Sequence, residues 1–184
     1  MKVMKCIFSV RMLLLQLPSF LFYWLFSWIY PTGILRQKAA LALYPLTRQL
    51  ILRRSGIPIG RQTEIMFGIT VLGRGRVPPA LEVGSRVAIG PHVAFVTSSY
   101  PGSSRLGTHP DIQRAIKRFA PIQVHDDAWI GAGAIILPGV TLGRCSAVSA
   151  GSVVVSDVPP YQVVGGSPAR AIRQLSDKDQ GNEA

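Results

Sequence analysis

Taken in sixes, residues 124–154 run VHDDAW IGAGAI ILPGVT LGRCSA VSAGSV V. Each block opens on an aliphatic residue: Val124, Ile130, Ile136, Leu142, Val148 and Val154. The same phase holds upstream at Ile59, Ile65, Val71, Val77, Val83, Ile89 and Phe95. Helices repeat near 3.6 residues and strands near 2, so neither alone gives a period of six. Three sixes make one coil of a left-handed parallel β-helix, each six supplying a short strand and a corner, with the grid residue pointing into a triangular core. Four places beyond the grid residue the chain carries small side chains suited to a tight turn: Ala128, Ala134, Val140, Ser146 and Ser152. Glycine follows the grid residue at Gly60, Gly84, Gly90, Gly131 and Gly143, which reads as conformational freedom at the corners. Thirteen positions in one register outweigh local propensity, so the expected fold is mainly β.

Of the 184 residues, 55–158 form the expected β-helix, interrupted by a loop excursion at 96–120. Residues 159–184 form a closing segment, expected to contain a short helix and a polar tail. Residues 1–54 are a different kind of sequence. The twenty-four residues between Arg11 and Arg36 carry no charge, among them Leu13, Leu14, Leu15, Phe20, Trp24, Phe26 and Trp28. That length suits a bilayer core. Pro18 interrupts the run, and basic residues flank both ends (Lys2, Lys5 and Arg11 before it, Arg36 and Lys38 after), which opposes a simple crossing. An in-plane or re-entrant anchor with both ends on the cytoplasmic face is the expected arrangement. Ala39–Leu52, apolar with Arg48 inside it, reads as a helix lying on a membrane surface. The other reading packs both segments as buried helices against the β-helix or a neighbouring subunit.

The net charge is +11, from 20 Lys and Arg against 9 Asp and Glu. Arg36, Lys38, Arg48, Arg53, Arg54 and Arg61 follow the apolar run; Arg114, Lys117 and Arg118 lie in the excursion; Arg170 and Arg173 lie near the end. No aromatic residues interleave with them as a base-stacking platform would require, so nucleic acid is not an expected partner. Anionic lipid headgroups and a phosphate-rich ligand fit the pattern better. The two cysteines, Cys6 and Cys145, have no metal-ligand spacing and suit a reducing compartment.

The stretch from Asp126 to Gly143, with Asp157-Val-Pro-Pro-Tyr161 and Val164-Gly-Gly-Ser-Pro-Ala-Arg170, resembles the hexapeptide-repeat acyltransferases, and within them the sugar O-acetyltransferase branch with its galactoside, maltose, nodulation and exopolysaccharide enzymes. The resemblance covers about 57–175. It implies a homotrimer of prisms with acetyl-CoA in the cleft between neighbours, a sugar hydroxyl as acceptor, and direct transfer assisted by a histidine base. By the same resemblance Gly131, Ala132, Gly133, Ser149, Ala150 and Gly151 let the pantetheine arm approach the backbone, and Arg170 with Arg173 meets the nucleotide phosphates. The two arginines are expected to open the C-terminal helix.

At the family's catalytic position this chain departs from the pattern. The run Val96-Thr-Ser-Ser-Tyr100-Pro101 puts Tyr100 where histidine is expected, and a phenol titrating near 10 is a poor base at neutral pH. Thr108-His109-Pro110 repeats the histidine setting later in the excursion, making His109 the candidate base with Asp111 orienting its ring. His92 and His125 read as surface corner residues. No histidines share the close spacing of the zinc site in γ-class carbonic anhydrases, so no metal is expected. Placement suggests a lipid-linked saccharide acceptor at the cytoplasmic membrane face. The alternatives are N-acetylation of an amino sugar or transfer of another, longer acyl group, and a catalytically inactive, membrane-tethered scaffold.

Overall fold

A computed structural model describes residues 32–42, 44–73, 80–99, 101–115 and 119–176. The apolar run up to residue 31, Val77, Tyr100, Lys117, Arg118 and the last eight residues lie outside the described residues.

Three sheets, parallel except for one outer strand, form the sides of a prism. The first contains β3 (Leu81–Val83), β6 (Ile122–Val124) and β9 (Thr141–Leu142), extended by bridges from Ile59 to Val83 and from Leu142 to Val158. The second runs β1 (Glu64–Ile65), β4 (Ala88–Ile89), β7 (Trp129–Ile130), β10 (Ala147–Val148), β12 (Gln162–Gly166) and β13 (Ala169–Gln174). The third stacks β2 (Thr70–Leu72), β5 (Ala94–Val96), β8 (Ile135–Ile136) and β11 (Val153–Val154). Every described grid residue is buried, from Ile59 to Val154. Within the coils the positions four places later are buried with them, including Val87, Val93, Ala128, Ala134 and Ser152, while Ser99, where the excursion leaves, is exposed. Both sets face the same narrow core, where Ile69, Val87 and Val93 fill the opening coils and the smaller Ala128, Ala134, Ser146 and Ser152 the later ones.

The register shows which sixes make a coil. Trp129 pairs with Ala147 and Ile135 with Val153, eighteen residues apart, as three sixes require. The opening coil returns after twenty-four, Glu64 to Ala88 and Val71 to Phe95, one six more than a coil of three sixes requires. Ala88 pairs with Trp129 across forty-one residues because the excursion leaves after β5 and returns at β6. Val164 pairs with Val148, carrying the prism one strand past residue 158.

The corner glycines correct one expectation. Left-handed backbone occurs three places after the grid residue, at Gln62, Gly68, Arg86, His92, Asp127, Gly133, Gly139, Cys145 and Gly151, and at Tyr161, three places after the off-grid Val158. The glycines one place after it have no such backbone. They are required by stacking: a Cβ at Gly131 would lie 2.5 Å from the Ala150 nitrogen, and one at Gly143 would lie 2.5 Å from the Pro160 nitrogen.

The closing helix is also corrected. Residues Ala169–Gln174 form β13, antiparallel to β12, with Gly165 opposite Arg170 and Val163 opposite Arg173. The outer strand supplies hydrogen bonds that a parallel sheet would otherwise leave exposed at its last edge.

At the other end, Ala39–Leu52 is two helices and not one surface-lying helix. α1 (Thr32–Leu41) ends before Tyr44, and α2 (Pro45–Arg54) starts with proline at its first turn, where no N–H is needed. α2 is followed by Ser55 and Gly56, whose φ of +85° permits the chain to reverse into the first coil. α1 packs on β2 and α2 on β1, burying Leu35, Ala39, Ile51 and Leu52 over the open end of the prism core. The arginines expected to meet lipid headgroups are used here. Arg48 is fully buried and donates to the carbonyls of Ile65 and Ala42; Arg53 donates to those of Ile59 (3.0 Å) and Gly60 (3.2 Å); Arg36 donates to Gly73 (3.4 Å). A first coil has no earlier coil to take its carbonyls, and these guanidinium groups do so instead. Among the described residues no helix is long and apolar enough to cross a membrane.

Candidate functional site

Stacking coils turns corners that are distant in sequence into columns. The corner after the second sheet brings together Met66-Phe67-Gly68, Gly90-Pro91-His92, Gly131-Ala132-Gly133, Ser149-Ala150-Gly151 and Gly165-Gly166. Backbone bonds join successive levels. His92 N donates to Phe67 O (3.0 Å), Gly133 N to Pro91 O (2.8 Å), Gly151 N to Ala132 O (2.8 Å) and Ser149 N to Val164 O (2.9 Å). The six small residues expected to admit a pantetheine arm therefore form two adjacent levels of one column. Ala132, Gly133, Ala150 and Gly151 are exposed along it, and Cβ atoms at Gly133 and Gly151 would meet nothing within 4 Å.

Arg170 stands opposite Gly165 at the next level, with its guanidinium donating to the Ala169 carbonyl (2.9 Å) beside a shallow recess of about 130 Å³. Arg173 lies three residues further along β13 and is exposed. The structure thus places seven of the eight residues expected to hold the acyl donor along one corner column, with Arg173 opposite Val163 on the side leading to it, and a strand and not a helix carries both arginines. A prism corner is convex, so this column is a ridge on a single chain, and enclosing a ligand there needs a second wall.

The excursion contains a 3-10 turn (Arg105–Thr108) and a short helix, α3 (Pro110–Ala115). His109 precedes α3 and caps it: its carbonyl accepts Gln113 N–H (3.0 Å) and its Nδ1 accepts Asp111 N–H (3.3 Å). The Asp111 carboxylate is 3.8 Å from Nδ1, so the backbone and not the carboxylate orients the ring. An Nδ1 that accepts leaves the neutral ring's hydrogen on Nε2, the reverse of what a base acting through Nε2 requires. The ring is more than half exposed, at 56%. Tyr100 lies outside the described residues.

His125 is exposed at a corner of the first sheet. The same corner column holds an ion ladder not expected from the sequence. Arg86 meets Asp127 through Nε (2.5 Å) and Nη2 (2.9 Å), and Arg144 reaches the same carboxylate at 3.4 Å. The Arg86 hydrogen bond, more than any other cause, holds the Asp127 carboxyl below its ordinary range, while partial burial opposes it. The three residues are 41 and 17 positions apart, and only the register makes them neighbours. Among the described residues no group of three His, Cys, Asp or Glu is placed to hold a metal.

Residues 121–156 match the family model described as bacterial transferase hexapeptide (six repeats). A hexapeptide-repeat-containing acetyltransferase from Vibrio cholerae superposes with a TM-score of 0.62 at 31% identity, covering 79% of this chain and 89% of that one. The crystal structure of that protein with acetyl-CoA superposes at 0.61, again at 31% identity, over 79% of this chain and 86% of the other. Galactoside O-acetyltransferase of Escherichia coli (strain K12) is 33% identical over 127 residues, 68% of this chain and 58% of the relative. The chain spans about half the length of the curated relatives it matches. A prism of stacked sixes with small residues along one corner defines a hexapeptide transferase. This chain belongs to the hexapeptide-repeat acetyltransferase family, with its left-handed β-helix.

Proposed function

We propose that the protein is an acetyl-CoA-dependent O-acetyltransferase that transfers acetyl to a sugar hydroxyl. The observation that carries this reading is the corner column: two levels of small, exposed corners ending at Arg170. An extended arm of amides can lie along such a ridge, close to the backbone, while a guanidinium takes the phosphates at one end. Its Vibrio relative, crystallised with acetyl-CoA, supports the donor, and the galactoside relative supports a sugar acceptor. A homotrimer would give the ridge its second wall, with the cofactor between adjacent prisms. The hydroxyl attacks the thioester directly, in a complex holding both substrates, and a histidine takes its proton. On the excursion His109 is the candidate for that role, with Tyr100 at the family's histidine position.

The uncharged run before Arg36 supports an acceptor held at the cytoplasmic face of a membrane, such as a lipid-linked precursor of a surface polysaccharide. Acceptor contacts come from loops outside the repeats, so an amino-sugar amine is the second candidate nucleophile. Titration calorimetry on the full chain in detergent, comparing wild type with Arg170→Ala, tests the reading. Micromolar acetyl-CoA binding, weakened about 10- to 100-fold by the substitution, is expected for a lost charge-assisted phosphate contact of roughly 1.5–3 kcal/mol. A folded protein that binds no acetyl-CoA would leave the inactive scaffold as the function.

A further inference from the structure

The corner column has a direction, and one histidine stands on it. From Gly165, opposite Arg170, the levels descend through Ala150–Gly151 and Ala132–Gly133 to Pro91–His92 and then Phe67–Gly68. Coils stack about 4.8 Å apart, so Gly165 and His92 are separated by three steps, roughly 14 Å. A pantetheine arm with its phosphates at Arg170 and its amides along the two bare corners therefore brings its thioester to the level of His92. The side chains on this column change in the same order: a guanidinium, two levels with almost no side chain, then an imidazole.

The imidazole is held in place. His92 has a φ of +58°, and its N–H is bonded to Phe67 O. Its ring meets the Phe67 ring edge-on, with centroids 5.1 Å apart and planes at 88°. The Nδ1 edge lies over Gly68, where any Cβ would run into it, so Nε2 is the nitrogen further from the corner. The residue is exposed, and no described residue hydrogen-bonds either ring nitrogen. His109, by contrast, spends Nδ1 on capping α3.

We infer that His92 is the proton acceptor of the transfer reaction, in the role the family pattern gives to the position of Tyr100. The assignment rests on the acetyltransferase reading and replaces His109 within it. The imidazole lone pair takes the proton of the acceptor hydroxyl as its oxygen bonds to the thioester carbonyl carbon. The carbon–sulfur bond breaks, and the thiolate recovers that proton from the imidazolium. The products are the acetyl ester and CoA, and the ring returns to its neutral form.

The test uses the full-length protein with His92→Asn and His92→Gly. Both residues tolerate left-handed backbone, so the corner is kept while the base is removed. Turnover is read as CoA release with a mixture of galactosides, glucosides and maltose as acceptor, and acetyl-CoA binding is read by calorimetry. Expected is a 10²- to 10⁴-fold fall in kcat in both variants, with acetyl-CoA affinity within about twofold of wild type. Added imidazole should restore part of the activity of His92→Gly. His125→Asn, on another corner, should behave as wild type. Wild-type turnover in His92→Asn would overturn the assignment alone, as would a loss confined to a parallel His109→Ala variant. Loss of acetyl-CoA binding in step with kcat would make His92 a structural corner instead. A wild-type protein that neither binds acetyl-CoA nor releases CoA would overturn the acetyltransferase reading and this assignment with it.

Discussion

At the scale of single residues, position within the six decides what a side chain is for. Gly131 and Gly133 are two places apart and both read as corner glycines, yet they answer different demands. Gly133 has a φ of +67° and open space around it, so backbone conformation selects glycine there. Gly131 lacks that backbone, and the Ala150 nitrogen lies where its Cβ would be. Gly131→Ala must push adjacent coils apart, and a loss of about 1–3 kcal/mol is expected from such overpacking. Thermal unfolding checks the stability loss. Because the shifted level is one that would carry the pantetheine arm, acetyl-CoA affinity should fall in the same variant. The sequence shows that glycine recurs at this place, whereas the distance to the next coil, which is the reason for it, exists only after stacking.

At the scale of elements, the ends of the prism were the least legible part. Within the repeats each six is locally similar to the next, so the pattern is its own evidence. α1 and α2 have no repeat, and nothing in the sequence says that Arg48 meets the carbonyls of Ile65 and Ala42 and not a lipid surface. Burial lowers the Arg48 pKa, the cost of placing a guanidinium over the end of an apolar core. Arg48→Met keeps the apolar stem and removes the donors, orphaning two acceptors at about 1–3 kcal/mol each. The urea midpoint should fall with little change in slope if the cap stays folded on the first coil. The same difficulty affected β13. An Ala-Arg-Ala-Ile-Arg run reads as helical by propensity, and pairing with the edge of β12 overrides it.

At the scale of the whole molecule, the parallel stack converts sequence separation into proximity along three corners. One corner carries the proposed donor site and another the Arg86–Asp127–Arg144 ladder. Asp127 has a carboxyl pKa held below its unfolded value, so the ladder's contribution is present above about pH 4 and is lost as pH falls through the depressed folded value. Asp127→Asn should therefore lower Tm at neutral pH and flatten its decline on acidification, as scanning calorimetry between about pH 7 and pH 3 would read. The sequence by itself determined the fold class and the inward-facing residues, because a strict period of six fixes which side chains face the core and which lie at corners, and its resemblance to the hexapeptide-repeat acyltransferases pointed to the family and to the residues proposed to hold the donor. Only the tertiary structure decided which corners share a column. One additional six between β2 and β3 and the excursion after β5 change the coil length from eighteen residues to twenty-four and forty-one, and no local signal records that change. That register puts His92 at the same corner as Gly133 and Arg170, because hydrogen bonding between coils, and not distance along the chain, sets what is adjacent in a β-helix.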